Sequence, residues 1–178
     1  MHVPAPVVDH RIAGLTQRAS AGAFDFAIVG CYILVLLVLG VVAHPVMRRT
    51  GRLAAPLAME ALAFLTLVLP VILYFALQEG SHRGATWGKR RAGIAVVGAH
   101  GTRLGYRRSL LREAVKFLPW QLAHTCVIRL SFGSQSSALL AGAIVAQLLV
   151  GVYALCLWLS RNHRTPYDWI AGAYVMRR

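Results

Sequence analysis

Between Ser137 and Leu159 the chain runs for 23 residues without a charged side chain. A hydrocarbon core about 30 Å thick takes about 20 helical residues to cross, so this segment is long enough to span a bilayer. Two other stretches are nearly as apolar. Phe24 to Val46 is broken by one carboxylate, Asp25, and Ala55 to Leu77 by another, Glu60. A chain of 178 residues that is 57% hydrophobic and 14% charged has little left for a soluble domain, which would carry about 25% charge. One compact membrane domain follows.

The net charge is +13. The basic residues lie in short stretches beside the apolar runs, where positive-inside topology and anionic lipid head groups want them. The expected partner is therefore the lipid bilayer and not nucleic acid. Cys31, Cys126 and Cys156 sit far apart inside apolar stretches and read as packing residues. The seven histidines show no HxxxH or HExxH spacing, so neither a metal nor another cofactor is expected. The apolar run that follows the basic N-terminus is too long for a signal-peptide core and should stay as a first span.

Residues 1–15 read as a flexible tail, and 16–178 as one transmembrane domain with a basic cytoplasmic loop over 78–109. Helices are expected near 17–44, 55–77, 110–130 and 137–160. The first should stop around His44-Pro45, since proline disfavours helix in the residue before it. Pro70 should kink the second. In the basic loop, Gly93 to Val97 is β-like, Gly98 to Gly101 turn-like, and Thr102 to Tyr106 suits a returning strand, with Ala173–Met176 as a third. The expected class is an all-α membrane protein: a four-helix transmembrane bundle, three clear spans plus one half-polar helix, with a small cytoplasmic β-hairpin.

The half-polar helix is the ambiguous element. Arg108, Arg112 and Lys116 recur at i, i+4 and i+8 on one face, which suits either a surface-lying amphipathic helix or a span with snorkelling basic ends. Charge asymmetry favours the span. With four crossings the N-terminal segment, the large loop and the C-terminus share one side, giving 13 Lys+Arg against 3 in the 47–52 loop. The positive-inside rule then puts both termini in the cytoplasm of a bacterial inner-membrane protein.

Few residues offer chemistry. Arg18 and Asp25 share a helix face, with the small Ala21 and Gly22 between them. An Asp inside a span costs about 3 kcal/mol and usually faces a partner or water. Asp168 lies among Arg161, His163 and Arg164 and is expected to pair there. The four-span topology also returns it to the side on which Arg18 and Asp25 begin the first helix, so the three are expected to meet with Arg18 as the central cation. Glu60 is expected to pair with Arg48 or Arg52, or to face the bundle. Gly84 to Arg90 superficially suggests a phosphate loop, but its glycine spacing is one short and Arg90 stands where Ser/Thr would bind Mg²⁺. Gly88 and Lys89 more simply make a turn against lipid phosphates. His124 and Gln147 are expected to hydrogen-bond between helices. No catalytic set is present, so no enzyme is expected.

In order and spacing the motifs resemble the RDD family of bacterial membrane proteins. They are Ala13-Gly14…Arg18…Ala21…Asp25, then Thr86-Trp87-Gly88-Lys89-Arg90…Gly93-Ile94-Ala95-Val96-Val97, then Gly101…Arg107…Leu110-Leu111-Arg112, and finally Arg164-Thr165…Asp168-Trp169-Ile170-Ala171-Gly172…Val175. The resemblance covers about residues 11–178. Ala173 and Trp87 depart from the family pattern without touching its signature residues, which here are Arg18, Asp25 and Asp168. Secondary candidates are Glu60, Gly88, Lys89, Arg108, Arg112 and Arg164. A transport role has been suggested for some members. The resemblance thus implies a small cation- or proton-coupled transporter using a membrane-embedded Asp. The alternative is a non-enzymatic accessory or scaffold protein, bound to its own copies or another membrane protein, in which the Arg/Asp set is a structural clamp.

Overall fold

The computed structural model describes residues 12–50 and 55–178, with the side chains of 47–50 also outside the described part. Most of the expected tail, Arg52, and the side chain of Arg48 therefore lie outside it. Helix α1 spans Leu15–Thr50. Helices α2 (Pro56–Ala63) and α3 (Leu69–Gly80) form one continuous rod through a π-turn over Phe64–Val68. A short α4 (Trp87–Arg91) leads into strand β1 (Ile94–Val97). The long α5 (Tyr106–Ser131) and α6 (Ser137–Leu159) follow, then α7 (Pro166–Ala171) and strand β2 (Tyr174–Arg177).

Among the described residues, three helical rods are long and apolar enough to cross a membrane: Leu15–Val46, Pro56–Gly80 and Ser137–Leu159. The first does not stop at Pro45 as expected but continues to Thr50: a proline inside a helix removes one backbone hydrogen bond and need not end it. Helix α5 runs antiparallel to α2–α3 along the whole rod. At one end Arg112 of α5 meets Glu79 of α3, and at the other Arg129 meets Glu60 of α2. Those two arginines are 17 residues apart, about 26 Å of helix. On its other side α5 packs on α6. Gly142 lies so close to it that a Cβ there would come within 2.9 Å of Cys126 Sγ.

Pro70 in α3 and Pro119 in α5 each remove a backbone N–H, leaving the carbonyl four residues earlier without its helical donor. In a membrane no water replaces that donor. For Pro70 the orphaned carbonyl is Thr66, and it accepts a hydrogen bond from the Tyr32 hydroxyl of α1. For Pro119 it is Val115, which accepts from the Tyr153 hydroxyl of α6 at 2.9 Å. Each proline thus becomes a point where a neighbouring helix is fastened. A π-turn over Phe64–Val68 stands just before Pro70, where the sequence leads one to expect a kink.

The sheet differs from expectation in its partner. Strand β1 pairs antiparallel with the C-terminal β2, Ile94 opposite Arg177 and Val97 opposite Tyr174. Residues 102–106 contribute one isolated bridge, Val97 to Arg103, and no strand, because α5 begins at Tyr106 and uses up the returning segment. Ile12 bridges Met176 and the Ala13 N–H donates to Val175 O at 3.0 Å, so residues just before α1 are tied to the sheet's outer edge. Ala13, Ala21, Ile94, Val96, Leu104, Ala171, Ala173 and Val175 form a small core joining sheet, α1 and α7.

A buried Arg/Asp cluster as candidate functional site

The chain has six acidic residues against 19 Lys+Arg, so the position of each acid is informative. Four of them, Asp25, Glu79, Glu113 and Asp168, lie at the sheet end of the bundle and are no more than 1% exposed. An isolated buried carboxylate is costly, so each needs donors or cations from inside the protein.

Arg112 is the hub. Its Nε donates to Asp168 Oδ1 at 2.8 Å, and its Nη1 donates to Glu79 Oε2 at 2.7 Å and also to Glu113. Its guanidinium lies 5.1 Å from the Tyr167 ring centre. Burial pushes the Tyr167 phenol above its ordinary value, with Arg112 pulling the other way. Lys89 donates to the second oxygen of Glu79 at 2.7 Å, and Lys116 to the second oxygen of Glu113 at 2.7 Å. The Lys116 ammonium also sits 3.9 Å from the centre of the Phe75 ring. Asp168 Oδ2 accepts from the Thr165 N–H at 3.2 Å and hydroxyl at 2.9 Å, because α7 starts there.

Asp25 is bound differently, by neutral donors alone. Oδ1 accepts from the Gly88 N–H at 2.9 Å and the Tyr74 hydroxyl at 3.0 Å, and Oδ2 accepts from the Thr86 hydroxyl. The carboxylate of α1 thereby holds α3 and the start of α4. Thr86 in turn caps α4, accepting from the Lys89 N–H at 3.2 Å. This requires glycine at position 88. A Cβ there would strike the Ala21 carbonyl oxygen and come within 2.8 Å of Asp25.

Arg18 is not the central cation between two acids. Its Nη1 lies 3.8 Å from Asp168 Oδ2, and its Nε donates to Ala13 O at 3.2 Å. Its contacts do not include Asp25, which the donors from α3 and α4 already enclose. Nor does Asp168 pair with Arg164 as expected. Arg164 reaches backbone carbonyls instead, Ala173 O and Asp168 O at 3.1 Å each, and stacks on Tyr174 at 4.2 Å. Arg108 binds the final carbonyls of α7, Ala171 O at 2.8 Å and Gly172 O at 3.2 Å. Of the face shared by Arg108, Arg112 and Lys116, Arg112 and Lys116 turn to acids inside the protein, while Arg108 stays exposed over the end of α7. Gly88 and Lys89 likewise turn inward to Asp25 and Glu79 and not outward as a lipid-phosphate turn.

Glu60 lies at the opposite end of the bundle. It binds Arg129 through both oxygens, at 2.6 and 3.2 Å. His124 bonds within its own helix, Nδ1 to Trp120 O at 2.9 Å, not between helices. Gln147 lines the cavity between the rods. Among the described residues no group of three or more His, Cys, Asp or Glu is arranged to hold a metal.

Two acids of the cluster, Glu79 and Glu113, carry no motif of their own. In the sequence Glu79 falls at the start of the polar loop, and Glu113 stands beside Arg112 on the half-polar helix. The signal that could have found them is scarcity: in so basic a chain, an acid one helical turn from Lys116 or ten residues before Lys89 is rarely idle.

The model of the RDD family matches residues 12–172 of the chain. No curated protein matches it, and no solved structure does.

Proposed function

This chain belongs to the RDD family, and we propose that it is a non-enzymatic accessory or scaffold protein of a bacterial inner membrane, in which the Arg/Asp set is a structural clamp. The observation that carries this reading is Asp25. Both of its oxygens are occupied by donors from α3, from Thr86 and from the first turn of α4, so the carboxylate is already engaged in holding elements together. The Arg112 hub does the same for α3, α5 and α7. Removing one member of such a set leaves its partners buried and unpaired, which costs about 3–5 kcal/mol.

The same reading has the bundle cross the membrane four times with both termini cytoplasmic. It is supported by the length over which α5 accompanies α2–α3, about 26 Å between Arg112 and Arg129. It is supported too by the basic residues gathered with the sheet. A homo-oligomer or another membrane protein is then the natural partner for the exposed apolar faces.

One observation favours the rival, a cation- or proton-coupled transporter. Asp25, Arg18, Arg112 and Lys116 line a cavity of about 630 Å³, and a carboxylate on a cavity wall inside a membrane is a natural ion-coupling group. The two readings separate on Asp25→Asn, with thermal unfolding in detergent measured beside ion flux in proteoliposomes. A clamp loses stability. A transport site keeps its fold and loses pH-dependent flux.

A further inference from the structure

The clamp closes one end of the bundle but leaves α1 and α6 apart. Between them lies an apolar cavity of about 790 Å³, walled by Val29 and Ile33 of α1, Phe117 and Trp120 of α5, and Val150 and Leu157 of α6. That volume falls within the usual range for a small-ligand site. Phe26, Lys116, Leu157 and Tyr167 line this cavity and also the polar one of about 630 Å³ above it, so the two form one amphipathic cleft. Val150 and Phe26 on its rim are more than half exposed, which opens the cleft sideways to whatever surrounds the helices.

The polar mouth holds an unfinished hydrogen-bond site. Arg18 Nη2 is buried and has no partner among the described residues, although its neighbour Nη1 reaches Asp168. Lys116 stands on the same wall, where its ammonium donates to Glu113 and lies over the Phe75 ring, so among the described residues it has N–H donors to spare. A buried guanidinium nitrogen without an acceptor is costly, and an anion in the mouth would supply one. From Arg18 to Ile33 the cleft follows α1 for about 22 Å, roughly one leaflet of hydrocarbon with its head-group layer.

We infer that the cleft between α1 and α6 binds one anionic phospholipid of the cytoplasmic leaflet, its phosphate on Arg18 and Lys116 and an acyl chain among Val29, Phe117, Val150 and Leu157. Basic pockets between membrane helices suit such head groups, and the apolar floor suits a chain where a free anion would gain nothing. The inference rests on the four-crossing reading, which sets the mouth at the cytoplasmic surface.

The test is native mass spectrometry of the detergent-purified, delipidated full chain, offered phosphatidylglycerol or phosphatidylcholine with the same acyl chains. The wild type should retain one phosphatidylglycerol with about a tenfold preference, the scale of one or two basic residues against an anionic lipid. Arg18→Gln should remove the preference. Val150→Trp fills the cleft from its exposed rim without touching any charge, and should lower retention of both lipids even if Arg18→Gln fails to fold. Equal retention of the two lipids by the wild type would overturn the inference. So would undiminished binding by Val150→Trp, displacement of the lipid by inorganic phosphate, or a dimer that excludes lipid from the cleft. Asp25→Asn leaves both head-group cations in place, so its stability reports on the clamp separately.

Discussion

Arg112 Nε lies 2.8 Å from Asp168 Oδ1, joining residues 56 positions apart, and the same guanidinium also binds Glu79 and Glu113. One side chain therefore holds α3, α5 and α7 together, with all four groups no more than 3% exposed. Arg112→Met should leave three buried carboxylates facing one another. The expected cost is about 3–5 kcal/mol, a large share of the roughly 5–15 kcal/mol that keeps an ordinary protein folded, so the unfolding midpoint and folded yield should both fall. Arg112→Lys should rescue little, because an ammonium cannot reproduce the planar fork. Size-exclusion profiles and thermal unfolding in detergent check both. By contrast Arg129→Gln, at a half-exposed pair, should move the unfolding midpoint far less.

Gly88→Ala tests the close approach of α4 to α1. The added methyl would meet the Ala21 carbonyl and the Asp25 carboxylate, so overpacking should destabilise by about 1–3 kcal/mol. Gly30→Ala, in a helix where nothing lies within 4 Å of the new Cβ, should be neutral or mildly stabilising. Equal unfolding midpoints for the two variants would contradict this packing of α4 on α1.

The proline–tyrosine fasteners make a double-mutant prediction. Tyr153→Phe should cost about 0.6–1.7 kcal/mol by leaving Val115 O without a donor. In a Pro119→Ala background the backbone N–H regained at position 119 supplies that donor, and the same tyrosine change should cost clearly less. Additive effects in thermal unfolding would mean that the hydroxyl is not serving the carbonyl freed by the proline.

The topology prediction concerns α5. A single cysteine at Ser134, with Cys31, Cys126 and Cys156 replaced, should react with a membrane-impermeant maleimide from the periplasmic side, and a reporter after Arg178 should read cytoplasmic. Labelling of position 134 only after the membrane is permeabilised would return α5 to the membrane surface and leave three crossings.

Much of this was legible in the residues. The uncharged run of Ser137 to Leu159 and the two runs with one acid each give the three long apolar rods, because span length is set by bilayer thickness. The strand character of Ala173 to Met176 is also there. What periodicity cannot show is which of two possible partners wins a strand, or where a long side chain finds its charge. Thr102 to Tyr106 has strand-like residues, yet Tyr106 opens α5, so β1 pairs with the distant C-terminus. Arg18 and Asp25 share a helix face, but Arg18 turns toward Asp168 while donors from α3 and α4 take Asp25. The hub, Arg112, was one candidate among several basic residues. Only the fold brings Glu79, Glu113 and Asp168 to it.

The most direct test of the clamp is a double-mutant cycle between Asp25 and Thr86, with stability and flux measured on the same preparations. Asp25→Asn weakens charge-assisted hydrogen bonds from Thr86 and the Gly88 N–H, and Thr86→Val removes one of them. The account predicts that each single variant unfolds at lower temperature than the wild type. It also predicts that the double variant loses less than the sum by about 1 kcal/mol or more, with any ion flux per folded molecule unchanged. Additive changes in stability, together with a pH-dependent flux that disappears in Asp25→Asn, would contradict it.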